Sequence, residues 1–204
     1  MILIKDIANN VILTVDEFKA MNVTVDTGAY QMIYLIERNS ILESAQELTA
    51  IRARFATGEN GTPLLDIYAL REDDTNLVNR WMRDAGAAIF NVMSAWAKGI
   101  DSAYRANVDV DIIADPKTIT TVVDGDYMMF SYGLDPKQDP NIWESIERDI
   151  QSAIERKVIT EWYYINRYMD DFMLEKQVFD TLVGDLRSNL IKTVLPYRRP
   201  ISPV

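Results

Sequence analysis

Between residues 158 and 183 the chain has neither glycine nor proline, and its apolar residues keep a helical step. Ile165, Met169, Phe172, Phe179, Val183, Leu186 and Leu190 recur mainly every three or four positions, with Lys176 interrupting the seam. That spacing lays one apolar stripe along a helix, so a helix is predicted over about 159–192. The same period occurs three times upstream. Asp26 or Thr27 caps a predicted helix that carries Met32, Leu35, Ile36, Leu42, Ala45, Leu48 and Phe55 and stops at the surface turn "TGENGTP". Asp74 or Thr75 caps another, with Leu77, Trp81, Ala85, Ala88, Val92, Met93 and Trp96 on one face. Asn141 caps "NIWESIERDIQSAIERKV". Gly86 interrupts the second pattern at a cost of roughly 1 kcal/mol against alanine.

The period changes in the middle of the chain. "VDVDI" alternates, while "TITTVV" and "YMMFSY" flank "DGD". Asp-Gly between β-prone runs signals a hairpin, because both turn positions favour positive φ. Asp124-Gly125 is therefore expected to turn a small hairpin element at about 108–132. Residues 1–25 mix short β-branched runs with a possible helical turn at "DEFKAM". The expected fold is mainly α: a single helical-bundle domain over 1–193 with that β insertion, followed by an extended C-terminal arm over 194–204.

Composition narrows the chemistry. The 204 residues include no cysteine, which leaves no disulfide and no thiolate metal site. They include no histidine, which removes the commonest general base and every Ser-His or Cys-His pair. Formal net charge is -10, and residues 106–140 hold seven aspartates against two lysines. Binding to phosphate backbones is disfavoured for such a surface, and no sequence-specific nucleic-acid contact is expected. The start, "MILIKDIANNVILTV", is too polar for a signal peptide. No stretch reaches the ~18 apolar residues of a spanning helix, so no membrane partner is expected.

Tyr168-Met169-Asp170-Asp171 resembles the catalytic signature of reverse transcriptases. That family needs a tight turn between two strands to bring both carboxylates to its metal ions. Here the surroundings read as helix, where adjacent side chains stand about 100° apart. Asp170 and Asp171 are expected to be a solvent-exposed pair beside a core stripe. Asp109 and Asp111 alternate on one predicted strand face, and strand-borne aspartates do hold Mg²⁺ at phosphoryl-transfer sites. A metal-dependent phosphoryl-transfer enzyme using Asp109, Asp111, Asp170 and Asp171 is thus one alternative reading. The bland one is a polar, edge-protecting hairpin face. Trp162, Tyr163, Tyr164 and Tyr168 lack the basic groove that base stacking requires and read as core and protein-facing aromatics.

The tail "LPYRRPISPV" has Pro196, Pro200 and Pro203, which keep it extended. Tyr197 and Ile201 suit partner pockets, and Arg198 and Arg199 suit partner carboxylates. A helical chain with a hairpin excursion and an extended terminus resembles the head–tail connector (neck adaptor) proteins of tailed bacteriophages. The likeness is one of layout over about 27–204. It implies a non-enzymatic structural virion protein without a cofactor, present in the host cytoplasm during assembly. Its implied partners are copies of itself in a ring and neighbouring portal or tail components. A helical regulator that binds one partner protein is the other alternative.

Overall fold

The computed structural model describes residues 1–21, 28–55, 68–95, 102–110, 118–122, 125–135 and 137–191. Its elements are β1 (Ile2–Asp6), β2 (Val11–Thr14), α1 (Val15–Ala20), β3 (Tyr30–Glu37), α2 (Arg38–Phe55), α3 (Thr75–Ser94), β4 (Ala103–Val110), β5 (Ile119–Thr121), β6 (Tyr127–Gly133), α4 (Trp143–Ile165) and α5 (Met169–Leu190). The strands form one antiparallel sheet of order β2-β1-β3-β6-β4-β5. A mainly α bundle with a small hairpin is therefore corrected to a six-stranded sheet packed against helices.

The sheet was hidden by its own centre. β3, "YQMIYLIE", lies where the first long helix was expected. Tyr30, Met32, Tyr34 and Ile36 join the core under the helices, while Ile33 and Leu35 join a second cluster on the opposite face. A strand buried on both faces shows no alternation, so its apolar run fits a helical template equally well. β1 hides in the same way: Ile4 faces one cluster and Leu3 the other. The β1–β2 hairpin is closed by Asp6, whose carboxylate accepts from the Asn9 backbone N–H at 3.0 Å and from Asn9 Nδ2 at 2.8 Å. The expected helical turn at "DEFKAM" is α1, started by a reciprocal Thr14–Glu17 capping box.

β5 and β6, the strands on either side of Gly125, are not partners. β4 runs between them, and Val108 pairs with Thr121 on one side and Tyr127 on the other. The hairpin expected at Asp124-Gly125 is thus corrected, and Asp124 lies outside the described residues. Gly125 is needed for close approach: a Cβ there would sit 2.5 Å from the Val108 backbone nitrogen. Arg38 fastens the crossing. Its Nη1 donates to the Gly125 carbonyl at 2.9 Å and to Asn107 Oδ1 at 2.7 Å, and its Nη2 donates to Asn79 Oδ1 at 2.7 Å.

The break expected near 158/159, between the helix from Asn141 and the helix over 159–192, lies at 166–168 instead. α4 ends at Ile165, Arg167 takes φ 63°, and α5 starts at Met169. The Tyr168 N–H donates to the Tyr163 carbonyl at 3.0 Å and the Arg167 N–H to the Tyr164 carbonyl at 3.1 Å. This is the Schellman closure of a helix, with arginine where glycine is usual. Tyr168 packs against Tyr68 at 4.4 Å between ring centroids, with the rings tilted by 39°.

Candidate functional site

The docking residues expected in the arm, Tyr197, Arg198, Arg199 and Ile201, lie outside the described residues, as does Asp111. Asp109 is on β4 opposite Thr120, and its carboxylate accepts from the Val110 N–H at 2.8 Å. Asp170 is exposed in the first turn of α5. Asp171 is not exposed beside it, which corrects the expected pair. Its carboxylate accepts the Tyr68 hydroxyl and stands 3.8 Å from Arg52 Nη1. Tyr68 is itself held by Trp162, whose Nε1 donates to the Tyr68 carbonyl at 2.9 Å. Among the described residues no three acidic side chains gather where they could hold a metal ion.

Asp171 belongs to a charged knot. Glu175 on α5 is fully buried and is ion-paired by Arg52 from α2 and Arg156 from α4. Burial disfavours the Arg52 charge, but Glu175 and Tyr163 outweigh it and raise its pKa. The Tyr68 hydroxyl is held well above its usual pKa, first by burial and then by its bond to Asp171. These groups tie three helices together, while Arg52 Nη1 and the neighbouring Tyr163 hydroxyl are buried without a hydrogen-bond partner among the described residues. That is a structural arrangement, and the Tyr-Met-Asp-Asp motif is its α5 end.

The tip of the α4–α5 hairpin is different. Tyr164, Ile165, Met169, Met173 and Leu174 are each about half exposed, Met173 the most at 61%. Beside them a groove of about 240 Å³ is lined by Lys157, Glu161, Tyr164, Phe172, Lys176 and Phe179. Lys157 pairs with Glu161 at 2.6 Å and lies over the Phe179 ring at 5.7 Å. Of the aromatics singled out in the sequence, Trp162 and Tyr163 are core, and Tyr164 supplies the exposed face. Of the apolar stripe read from the sequence, Ile165 and Met169 face outward, Phe172, Phe179 and Leu190 pack partly against the core, and Leu186 is fully buried, as is the charged Glu175.

A second surface lies on the sheet face away from the helices. Its cluster of Leu3, Ile33, Leu35, Val108, Val110 and Met129, with Ile12, Ile119 and Tyr127 against it, consists of strand residues. A bulge in β4 between Arg105 and Val108 keeps Ala103, Arg105, Val108 and Val110 on this face. Ile12 and Ile119 come from opposite edge strands, about 24 Å apart in a flat sheet of this width. Both line one groove of about 700 Å³, so the sheet curls into half a barrel. Lys5, Asn10, Gln31, Arg105 and Ser131 give this groove its polar atoms. The sequence reading missed it, because six separate strands contribute and three of them were not recognised.

The chain matches no protein-family model, no curated protein and no solved structure.

Proposed function

We propose that this protein is a non-enzymatic structural subunit that assembles with copies of itself, in the setting of a tailed-phage head–tail connector. The helical-bundle layout that suggested that setting is replaced by a sheet, so support for assembly comes from elsewhere. The observation that carries it is the exposed apolar tip of the α4–α5 hairpin. A contiguous apolar patch rimmed by charge marks an interaction surface more often than a solvated one. Its rim holds both signs, with Asp170, Asp180 and Glu161 beside Lys157, Arg167 and Lys176. Mixed charge of this kind is self-complementary across a two-fold or ring contact, where acid on one copy meets base on the next. The arm with Tyr197, Arg198, Arg199 and Ile201 follows α5 directly and offers a second contact to a neighbouring portal or tail component. No described helix is long and apolar enough to cross a membrane.

Sedimentation velocity over a concentration series tests the reading. The full-length chain is expected to form oligomers, and the Met173→Lys/Leu174→Lys variant is expected to remain monomeric with an unchanged circular dichroism spectrum. A full-length chain that stays monomeric at every concentration would overturn self-assembly.

A further inference from the structure

We propose that the groove on the sheet face opposite the described helices binds an extended, acidic and apolar strand of a partner protein. The inference goes beyond self-assembly and uses a different surface from the hairpin tip. Three observations carry it together.

The first is open edges. Among the described residues β2 pairs with β1 alone and β5 with β4 alone. Edge strands present unpaired N–H and C=O groups that template another strand. The groove begins at such an edge, because Val11 and Ile12 of β2 line it. The second is its lining. Ile12, Ile33, Ile119 and Met129 give an apolar surface for the inward side chains of a strand laid along β2. Its volume of about 700 Å³ suits a short segment rather than a domain.

The third is charge. Lys5 and Arg105 line the groove, and among the described residues no carboxylate does. Neither cation ion-pairs with a carboxylate among the described residues; Arg105 Nη1 donates to Thr121 Oγ1 at 2.9 Å. In a chain of net charge -10 this is a local reversal of sign. It selects a strand whose inward positions include Asp or Glu. It also rejects the chain's own arm, which would bring Arg198 and Arg199 against Lys5 and Arg105.

The test is fluorescence anisotropy on the full-length chain with two short synthetic peptides. One alternates threonine with glutamate and valine; the other replaces each glutamate by lysine. The acidic peptide is expected to bind with an affinity that falls as salt rises, and the basic one is expected not to bind. Lys5→Glu and Arg105→Glu should each weaken the acidic peptide about tenfold or more. If either reversal perturbs the circular dichroism spectrum, Lys5→Gln and Arg105→Gln take its place and should weaken binding less but in the same direction. Equal binding of both peptides, no binding of either, or affinity indifferent to all four substitutions overturns the proposal. A dimer that Arg105→Glu dissolves would also overturn it, by giving the groove to a second copy.

Discussion

The Arg156 guanidinium on α4 meets both oxygens of the Glu175 carboxylate on α5, at 3.3 and 3.2 Å from Nη1. Arg52 approaches the same carboxylate from α2. Glu175 has no solvent exposure, so it depends wholly on these two partners. Removing the acid leaves two guanidiniums facing each other across an apolar gap. Glu175→Ala is expected to lower stability by about 3–5 kcal/mol. Asp170→Ala, five residues earlier on the same helix and exposed, should change it by less than about 0.5 kcal/mol. Urea unfolding of both variants checks the contrast. A Glu175→Ala protein as stable as the parent would show that the knot is dispensable.

Arg167 holds φ 63° at the α4–α5 turn. A non-glycine residue in that region costs about 1–2 kcal/mol. Glycine relieves the strain but loses roughly 0.5–1 kcal/mol through the greater freedom of its unfolded chain. Arg167→Gly is therefore expected to raise stability by up to about 1.5 kcal/mol. Arg167→Val should lower it, since a β-branched residue resists positive φ. Thermal melts of the two variants should move in opposite directions; equal shifts would place the turn's strain elsewhere.

That turn also shows why part of the fold was unreadable. A helix end is read from glycine or proline, and Arg167 supplies neither, so the break between the last two helices was expected near 158/159 rather than at 166–168. α4 ends in the Schellman closure at Arg167, and Tyr168 just beyond it packs against Tyr68, a hundred residues earlier in the chain. β3 failed differently: burial on both faces erased the alternation that marks a strand. The helices after Asp74 and Asn141 were legible because each has one wet face and one dry face. At the candidate surfaces, Ile165 and Met169 of the hairpin tip were assigned to the core stripe, and Met173 and Leu174 stood outside it. The groove beside Lys5 and Arg105 depends on strand order, which single-strand patterns do not encode.

Gly86 interrupts α3 for a packing reason. A Cβ there would lie 2.7 Å from Cε2 of Tyr104, closer than real Cβ atoms come. Tyr104 is wedged against Phe130 at 5.0 Å between centroids, and its hydroxyl donates to the Arg83 carbonyl at 3.2 Å. Gly86→Ala gains about 1 kcal/mol of helix propensity, but shifting a packed ring costs about 1–3 kcal/mol. A net loss of up to about 2 kcal/mol follows from these two figures. In a Tyr104→Ala background the same substitution should become stabilising. A double-mutant cycle with no coupling would refute the contact.

Buried and half-buried tyrosines make the protein sensitive to alkali. Burial raises the pKa of Tyr34 and Tyr132, whose hydroxyls lie 3.3 Å apart, and pushes Tyr104 and Tyr163 up to about 12. An unfolded tyrosine loses its proton near the ordinary value of 10.0. Above that pH the folded state holds more protons than the unfolded state, so stability falls as pH rises. The contribution is fully present below about pH 10 and is lost between about 10 and 12, at up to about 1.4 kcal/mol per pH unit for each tyrosine. Urea unfolding from pH 8 upward should show a plateau and then a decline beginning near pH 10. Tyr34→Phe removes one titrating group and one hydrogen bond. It should start from a lower plateau and decline less steeply, so its curve converges on that of the parent at high pH. A Tyr34→Phe curve that runs parallel to the parent throughout would show that the Tyr34 hydroxyl titrates alike in both states.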